Sequence, residues 1–360
     1  MGTALSKAAR VISSCVMDPS PPPHVLARSE GNKLYKGKRA EVPDWRVPWL
    51  VLWPGYAPIE FTAEVVARNP PWADPSDASR VDFSTRHSFH GPIFVDSRTK
   101  RPRNPMGRTG TAGRGLLGKW GPNHAADPIV LRVKPLGPGE QPRTVPGVPG
   151  GVPFQMVAIR RADSGQWAIP GGMVDAGEVV SQTLRREFAE EATDVRAPLA
   201  REDLEDRLDL VFGPGGSLVY EGYVDDPRNT DNAWMETSVW VYFVKGPAAE
   251  LLKLHGGSDA THAEWVDVDA RLLDTSSGQL YADHGKFVQA AVSRAAAKLP
   301  NPYTSETDRN RAPPGDDLLA PRKRSQGVPA RPQDRATRSR SPTTESSGTL
   351  ASCVSAPHAE

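Results

Sequence analysis

Short apolar runs of strand type recur through the middle of the chain: Ile129–Val133, Gln155–Ile159, Trp167–Ile169, Leu218–Val224, Ser238–Val244 and Glu264–Val268. Most are rich in β-branched or aromatic residues and lie near Gly, Pro, Asn or Asp, the pattern of strands that bury at least one face. Two stretches, about 178–192 and 279–298, are helical in pattern instead. In the first, Val180, Leu184, Phe188 and, approximately, Ala192 recur at spacing four and give a stripe to bury. The mixture predicts an α/β fold, a sandwich of helices packed on the faces of a mixed sheet.

The flanks read differently. Residues 18–30, beginning Asp-Pro-Ser-Pro-Pro-Pro, hold neither helix nor central strand, because proline fixes φ and lacks an N–H. Residues 1–30 are therefore expected to be a flexible terminus. Trp45, Trp49, Trp53 and Trp72 fall within 28 residues, a density that calls for a packed surface although prolines interrupt it. This predicts a small irregular N-terminal cap domain over 31–125, followed by the strand-and-helix domain over 126–300. Beyond 300 the chain has no Trp, Phe or Ile and gains Pro, Ser and Arg. Such a segment buries too little apolar surface to offset its ordering entropy, so 301–360 is expected to be a disordered tail.

Composition narrows the function classes. The 360 residues carry 44 basic and 43 acidic side chains, so no global field points to nucleic acid or an anionic partner, and a charged substrate must be drawn by a local cluster. No run approaches the roughly 20 apolar residues that span a bilayer. Cys15 and Cys353 lie near opposite ends and give neither a disulfide framework nor a thiolate metal site, which favours a reducing, intracellular compartment. Two addresses compete at the start of the chain. Gly2 with Ser6 fits N-myristoylation, while Lys7, Arg10 and several Ser without an acid in 1–17 fit a mitochondrial presequence as well. Cytoplasm and mitochondrion both stay open.

The chemistry concentrates on one helix. Gly172-Met-Val-Asp-Ala-Gly-Glu178 leads to Arg186-Glu187-Phe188-Ala189-Glu190-Glu191. Glu187 stands three and four residues before Glu190 and Glu191, so the three carboxylates share one side of a helix, where like charges repel. A solvated acidic face is the commoner meaning of such a cluster. Against it, the helix follows Trp167-Ala-Ile-Pro-Gly-Gly172, a strand entering a turn whose backbone can approach a ligand closely, and Glu178 is placed to pair with Arg186 and lock the turn to the helix. A hard cation such as Mg²⁺, or Mn²⁺, takes such oxygen ligands while bridging phosphates.

G-x5-E-x7-R-E-U-x-E-E is the core of the Nudix box, and Gly172, Glu178, Arg186, Glu187, Phe188, Glu190 and Glu191 all match it. The chain thus resembles the Nudix hydrolases. It departs at the end of the motif, where Thr193 and Asp194 replace the usual glycine and aliphatic residue. The resemblance implies a Nudix α/β/α sandwich and divalent metal held by Glu187, Glu190 and Glu191, with a carbonyl from Gly171 or Gly172 assisting. Glu178 and Arg186 would be structural. A carboxylate would accept the proton of the attacking water, with Glu190 and Glu264 as the candidates.

Residues outside the box must choose the nucleotide. After a strand, 223–237 packs Asp226, Arg228, Asp231 and Trp234 closely; it reads as a polar turn, or as a guanidinium for phosphate with carboxylates for ribose hydroxyls. This segment, with 107–128 and 166–175, resembles the ADP-ribose pyrophosphatases within the family and is similar to the ADP-ribose-sensing domain of melastatin-type TRP channels. The likeness spans about 35–298. It implies ADP-ribose as a small-molecule substrate, Asp226 and Arg228 as contacts, and Tyr281, Asp283 and His284 beside the terminal ribose or phosphates.

Gly113-Arg-Gly-Leu-Leu-Gly118-Lys119 imitates a phosphate-binding loop, but Trp120 stands where Ser or Thr must ligate Mg²⁺. Two readings remain for it: glycines that let the backbone pass closely between domains, or phosphate contact by Arg108, Arg114 or Lys119. His124 and His262 are expected to be structural. Three rivals oppose a monomeric ADP-ribose hydrolase: a sensor that binds without cutting, which the intact glutamates disfavour; a Nudix enzyme acting on capped RNA or dinucleoside polyphosphates; and an N-terminal interaction module rather than a cap. The nine basic and seven acidic residues of the tail, with almost no aromatics, make a poor RNA platform.

Overall fold

The computed structural model describes residues 24–29, 33–140, 144–175, 177–192, 201–213, 215–245, 249, 252, 254 and 260–298. The expectations for the first 23 residues, for Thr193 and Asp194, and for the tail lie outside them. Residues 24–29, expected to be flexible linker without helix, instead hold a short helix, Val25–Arg28, because Leu26 N and Ala27 N donate to the Asp225 carboxylate at 2.8 and 3.2 Å. All described residues fall in one compact unit.

Its centre is a seven-stranded mixed sheet. Strands β3 (Gly121–Val133), β4 (Phe154–Arg161), β5 (Trp167–Ala168), β7 (Ser217–Tyr223) and β8 (Ala233–Phe243) lie in the order β5-β4-β3-β8-β7, with β6 (Gly172–Met173) added to β3 and β9 (Ala260–Asp267) to β4. β3 and β8 are parallel from Gly121↔Ala233 to Leu131↔Phe243. The other pairings are antiparallel.

Side-chain alternation loads both faces, which is why these strands read as nearly continuous apolar runs. Ile129, Leu131, Met156 and Ala158 meet Phe287, Val288, Ala291 and Val292 of α3 (His284–Lys298) on one face. Val130, Val157 and Ile159 meet Leu184 and Phe188 of α1 (Val180–Ala192) and Leu208, Val211 and Phe212 of α2 (Arg201–Phe212) on the other. The result is the three-layer α/β/α sandwich expected.

Two elements depart from the sequence reading. The helix α2 was not anticipated. β3 begins at Gly121 rather than near Ile129, because Gly-Pro-Asn-His-Ala-Ala-Asp-Pro has no β propensity of its own and is held extended by pairing with β8.

The N-terminal module contributes one parallel pair, β1 (Ile59–Thr62) with β2 (Thr111–Gly115), amid turns and short helices. The glycines of β2 serve close approach: at Gly115, φ is +59° and a Cβ would strike the Tyr35 hydroxyl. That hydroxyl accepts from Leu116 N at 2.9 Å and donates to the Arg228 carbonyl at 2.7 Å. Arg39 extends the grip, giving Nη2 to the carbonyls of Pro227 (3.0 Å) and Asn229 (2.8 Å). The module thus holds the turn after β7 from outside the sheet.

Candidate active site

Gly171 and Gly172 bring strand, turn and helix charge together. The turn after β5 is fastened to β3 through Gly172↔Ala126 and Met173↔Ala125. A Cβ on Gly171 would collide with the Asp127 carboxylate, and one on Gly172 with both oxygens of Glu187. Gly171 N donates to Glu191 Oε2 at 2.9 Å. Only glycine at both positions allows carboxylates from a strand and a helix to close on one backbone turn.

Arg186 organises the helix side. Its Nε and Nη2 each donate to Glu178 at 3.0 Å, a bidentate pair, and Nη2 also reaches the Met173 carbonyl at 3.0 Å. Nη1 donates to Glu187 Oε1 at 2.8 Å and Glu190 Oε2 at 3.4 Å. Burial pushes the Glu187 carboxyl up to about 7; Arg186 opposes this, while Glu190 and Asp127 add to it. Asp127 is itself pushed to about 6 by burial, although the Thr237 hydroxyl donates to it at 2.6 Å.

A second group lies within electrostatic reach of Asp127. Asp226, almost wholly buried, accepts from Arg228 Nε and Nη2 at 2.8 Å each and from its backbone N–H at 2.8 Å. Burial would raise the Asp226 carboxyl, but Arg228 draws it below the usual range.

Tyr281, Asp283 and His284 close a third side. The segment before α3 joins β5 through Trp167 N to the Gln279 carbonyl (3.1 Å) and Tyr281 N to the Trp167 carbonyl (2.9 Å). Asp283 accepts from Asp225 N at 3.1 Å and pairs with Lys286 at 2.5 Å. His284 Nδ1 faces Ile169 N at 3.0 Å. A backbone N–H can only donate, so Nδ1 accepts; burial, helped by Arg161, lowers the ring to about 3, leaving it neutral with its proton on Nε2. Box turn, Asp226–Arg228 turn and the start of α3 are therefore linked by short bonds or fields.

The structure places four candidates elsewhere. Glu264 is directly opposite Ala158 in the β4–β9 ladder, so it points to the face covered by α3, while its neighbours Ala263 and Trp265 face α1. Its close partner is His262, at 3.3 Å, and it is not brought to the box glutamates. Arg108 donates to the carbonyls of Arg46 (2.8 Å), Pro48 (2.7 Å) and Val51 (3.0 Å). Arg114 serves the carbonyls of Asp74 (2.5 Å) and Gly118 (3.1 Å). Both guanidiniums are spent inside the N-terminal module. Asp231 is committed to Thr109 N (2.6 Å), Thr109 Oγ1 (2.9 Å) and Tyr56 OH (2.6 Å). Lys119, half-buried and within the field of Asp175 in the box turn, is the basic residue of the glycine-rich stretch that faces this region.

Two residues escaped the sequence reading. Asp127 lay hidden between Ala126 and Pro128 in a stretch read for its glycines. Arg161 ends β4, pairs with Asp163 (2.7 Å) and lies over the Tyr281 ring at 4.3 Å, close enough to Asp226 to help hold it ionised. An Arg-Arg pair closing a strand just before the box turn was the available signal.

The oxygen donors fit a hard divalent cation: a buried carboxyl raised by like neighbours is a group that gains from a positive ion. As they stand, no three of the described His, Cys, Asp and Glu side chains converge on a metal position. Glu187 and Glu190 each give one oxygen to Arg186, and Glu191 gives one to Gly171 N.

Comparison with known proteins places the chain among its relatives. Residues 42–121 match the NUDT9-like N-terminal domain and 151–290 the NUDIX domain. The mitochondrial ADP-ribose pyrophosphatase of Rattus norvegicus is 43% identical over 285 residues, covering 76% of this chain and 79% of that one. Putative nudix hydrolase 6 of Caenorhabditis elegans is 42% identical, covering 69% and 88%. The transient receptor potential cation channel subfamily M member-like 2 of Nematostella vectensis is 41% identical over 74% of this chain but only 17% of its own length.

Proposed function

The chain belongs to the Nudix hydrolase family, and from that premise we propose that it hydrolyses the diphosphate of ADP-ribose, releasing AMP and ribose 5-phosphate, with Mg²⁺ as the working ion and Mn²⁺ as a substitute. One observation carries the reading: Glu187 and Glu191 close on the Gly171–Gly172 turn, and Asp127 joins that cluster electrostatically to the Asp226–Arg228 pair. Reaction chemistry and nucleotide recognition would occupy one continuous site.

Glu187, Glu190 and Glu191, with a carbonyl of Gly171 or Gly172, would hold the cation, which supplies neutralisation of charge building on the diphosphate and a water of lowered pKa. Arg228, fixed by two parallel bonds to Asp226, presents its remaining N–H groups to a phosphate, and Arg161 adds positive charge across Tyr281. Neutral His284 offers Nε2–H to a ribose or phosphate oxygen. Glu190, with side-chain exposure of 46%, is the better-placed proton acceptor now that Glu264 lies on the opposite face. Asp283 and Asp231 act through the turns they hold.

The N-terminal module, taken as 31–125 beside a hydrolase domain at 126–300, acts as a cap that shapes the substrate turn through Tyr35 and Arg39. We take the protein to work as a monomer on a small molecule rather than on nucleic acid, in mitochondrion or cytoplasm; Gly2 and the presequence pattern lie outside the described residues. No described helix is long and apolar enough to cross a membrane.

The test is to incubate purified protein with ADP-ribose and Mg²⁺, resolve the products, and repeat with Glu190→Gln, Glu191→Gln and a chelator. AMP and ribose 5-phosphate from the wild type alone support the reading. Binding without cleavage would turn it into a sensor, and indifference to ADP-ribose would leave only the family chemistry.

A further inference from the structure

The N-terminal module exposes large apolar side chains that the hydrolase reading does not use. Leu50 and Leu52 are 96% and 88% exposed, with Trp45 (59%) and Phe94 (63%) beside them in the same module. Isolated exposed leucines are ordinary; four large apolar side chains on two adjoining segments of one module are not.

The loop that carries the leucines is held, not loose. Arg108 grips the carbonyls of Arg46, Pro48 and Val51, and Trp49 Nε1 donates to the Asn104 carbonyl at 2.8 Å. Arg46 lies over both the Trp45 ring (4.3 Å) and the Trp53 ring (4.6 Å). Arg103 bridges the Trp49 and Phe94 rings at 5.2 Å each, which sets Phe94 next to the tryptophan loop. The tips of Leu50 and Leu52 are thereby presented outward from a fixed base.

Positive charge flanks the loop, with Arg46 stacked on its two rings. Arg46 and Arg103 both lie within the field of Arg108. The neighbouring carboxylates are already matched, Asp44 by Arg28, Asp96 by Arg103 and Glu60 by Arg101. Arg46 makes no ion pair among the described residues and remains for an external anion. Apolar tips, aromatic rings at their base and an unmatched cation beside them form the arrangement that suits the boundary between acyl chains and anionic headgroups.

We propose that this face, Leu50 and Leu52 with Trp45, Phe94 and Arg46, docks the protein reversibly on an anionic lipid surface. The leucines enter the acyl boundary, the rings lie at headgroup level, and Arg46 meets lipid phosphates. None of these residues belongs to the diphosphate site, so the inference stands or falls independently of the hydrolase reading.

Co-sedimentation of the full chain with vesicles of phosphatidylcholine doped with phosphatidylserine, against phosphatidylcholine alone, tests it. Wild type should partition to the anionic vesicles and release in high salt. Leu50→Ser/Leu52→Ser should lower partitioning at least about tenfold, because affinity follows buried apolar area, and Arg46→Gln several-fold. Turnover of ADP-ribose free in solution should not change in either variant, and the melting temperature should not change in the leucine variant. No sedimentation of wild type, or equal sedimentation of wild type and the leucine variant, overturns the proposal. So does a dimer, seen by sedimentation velocity without vesicles, that the leucine variant breaks: the face would then join two copies of this chain.

Discussion

Gly172 lies directly against the carboxylate of Glu187, so that a single methyl group at residue 172 would occupy the place of both Glu187 oxygens. The turn is paired to β3 and does not retreat, so the flexible end of Glu187 is what gives way. Gly172→Ala should leave the protein folded and displace the carboxylate by about an ångström, which typically costs on the order of 10²-fold in kcat. Steady-state kinetics beside a thermal melt check this; unchanged kcat would mean that Glu187 does not act from this position.

The Thr237 hydroxyl donates to Asp127 at 2.6 Å where the carboxylate is nearly sealed from water. Thr237→Val keeps the shape of the side chain and removes the donor. A loss of about 1–3 kcal/mol is expected from stranding a buried acceptor, read from urea denaturation midpoints. Thr237→Ser should restore most of it, which packing alone would not predict.

Arg39 ties the module to the turn bearing Asp226 and Arg228 through two carbonyls. Arg39→Ala strips the partner from the carbonyls of Thr109, Pro227 and Asn229. A stability loss of about 2–4 kcal/mol is expected, with KM for ADP-ribose rising at temperatures where the variant is still fully folded. An unchanged KM would separate module from substrate turn.

Glu236 gives a pH test. Wholly buried on β8, it accepts from Ser88 Oγ (2.7 Å), Phe89 N (2.8 Å) and Trp234 Nε1 (2.8 Å). His124 Nε2 lies at 3.6 Å, in ion-pair range but beyond a hydrogen bond. Burial alone would raise its pKa; these partners bring it down to about 2. A carboxyl depressed on folding contributes stability above its unfolded pKa of about 4.3, lost as pH falls through the folded value. The contribution is on the order of 3 kcal/mol at neutral pH. Glu236→Gln should be destabilised by about that much from pH 7 to about 5, and the gap to wild type should close as pH falls towards 2. A gap independent of pH would mean the carboxyl is not ionised in the fold.

How much of this could be read from residues alone depends on where the determining contacts lie. The box helix was legible because its apolar stripe and its charges repeat within the helix itself. The opposite placement of Glu264 was also readable, since a strand that buries Ala263 and Trp265 must turn Glu264 the other way. The helix α2 hid because Leu204, Leu208, Val211 and Phe212 are thinned by surrounding charge, although their spacing is helical. The first half of β3 was not legible at all: what makes Gly121–Pro128 a strand is the partner β8, more than a hundred residues later. Asp127 and the spent guanidiniums of Arg108 and Arg114 share that cause, for their roles are set by carbonyls and glycines remote in sequence.

β3 begins among the loops of the N-terminal module, passes Asp127 midway and ends inside the sandwich core, paired to β8 along nearly its whole length. A ladder of that length ties the end of the N-terminal module to the sandwich core without an intervening loop. A cut in the chain at this junction would therefore sever a strand and its pairing with β8, not a linker.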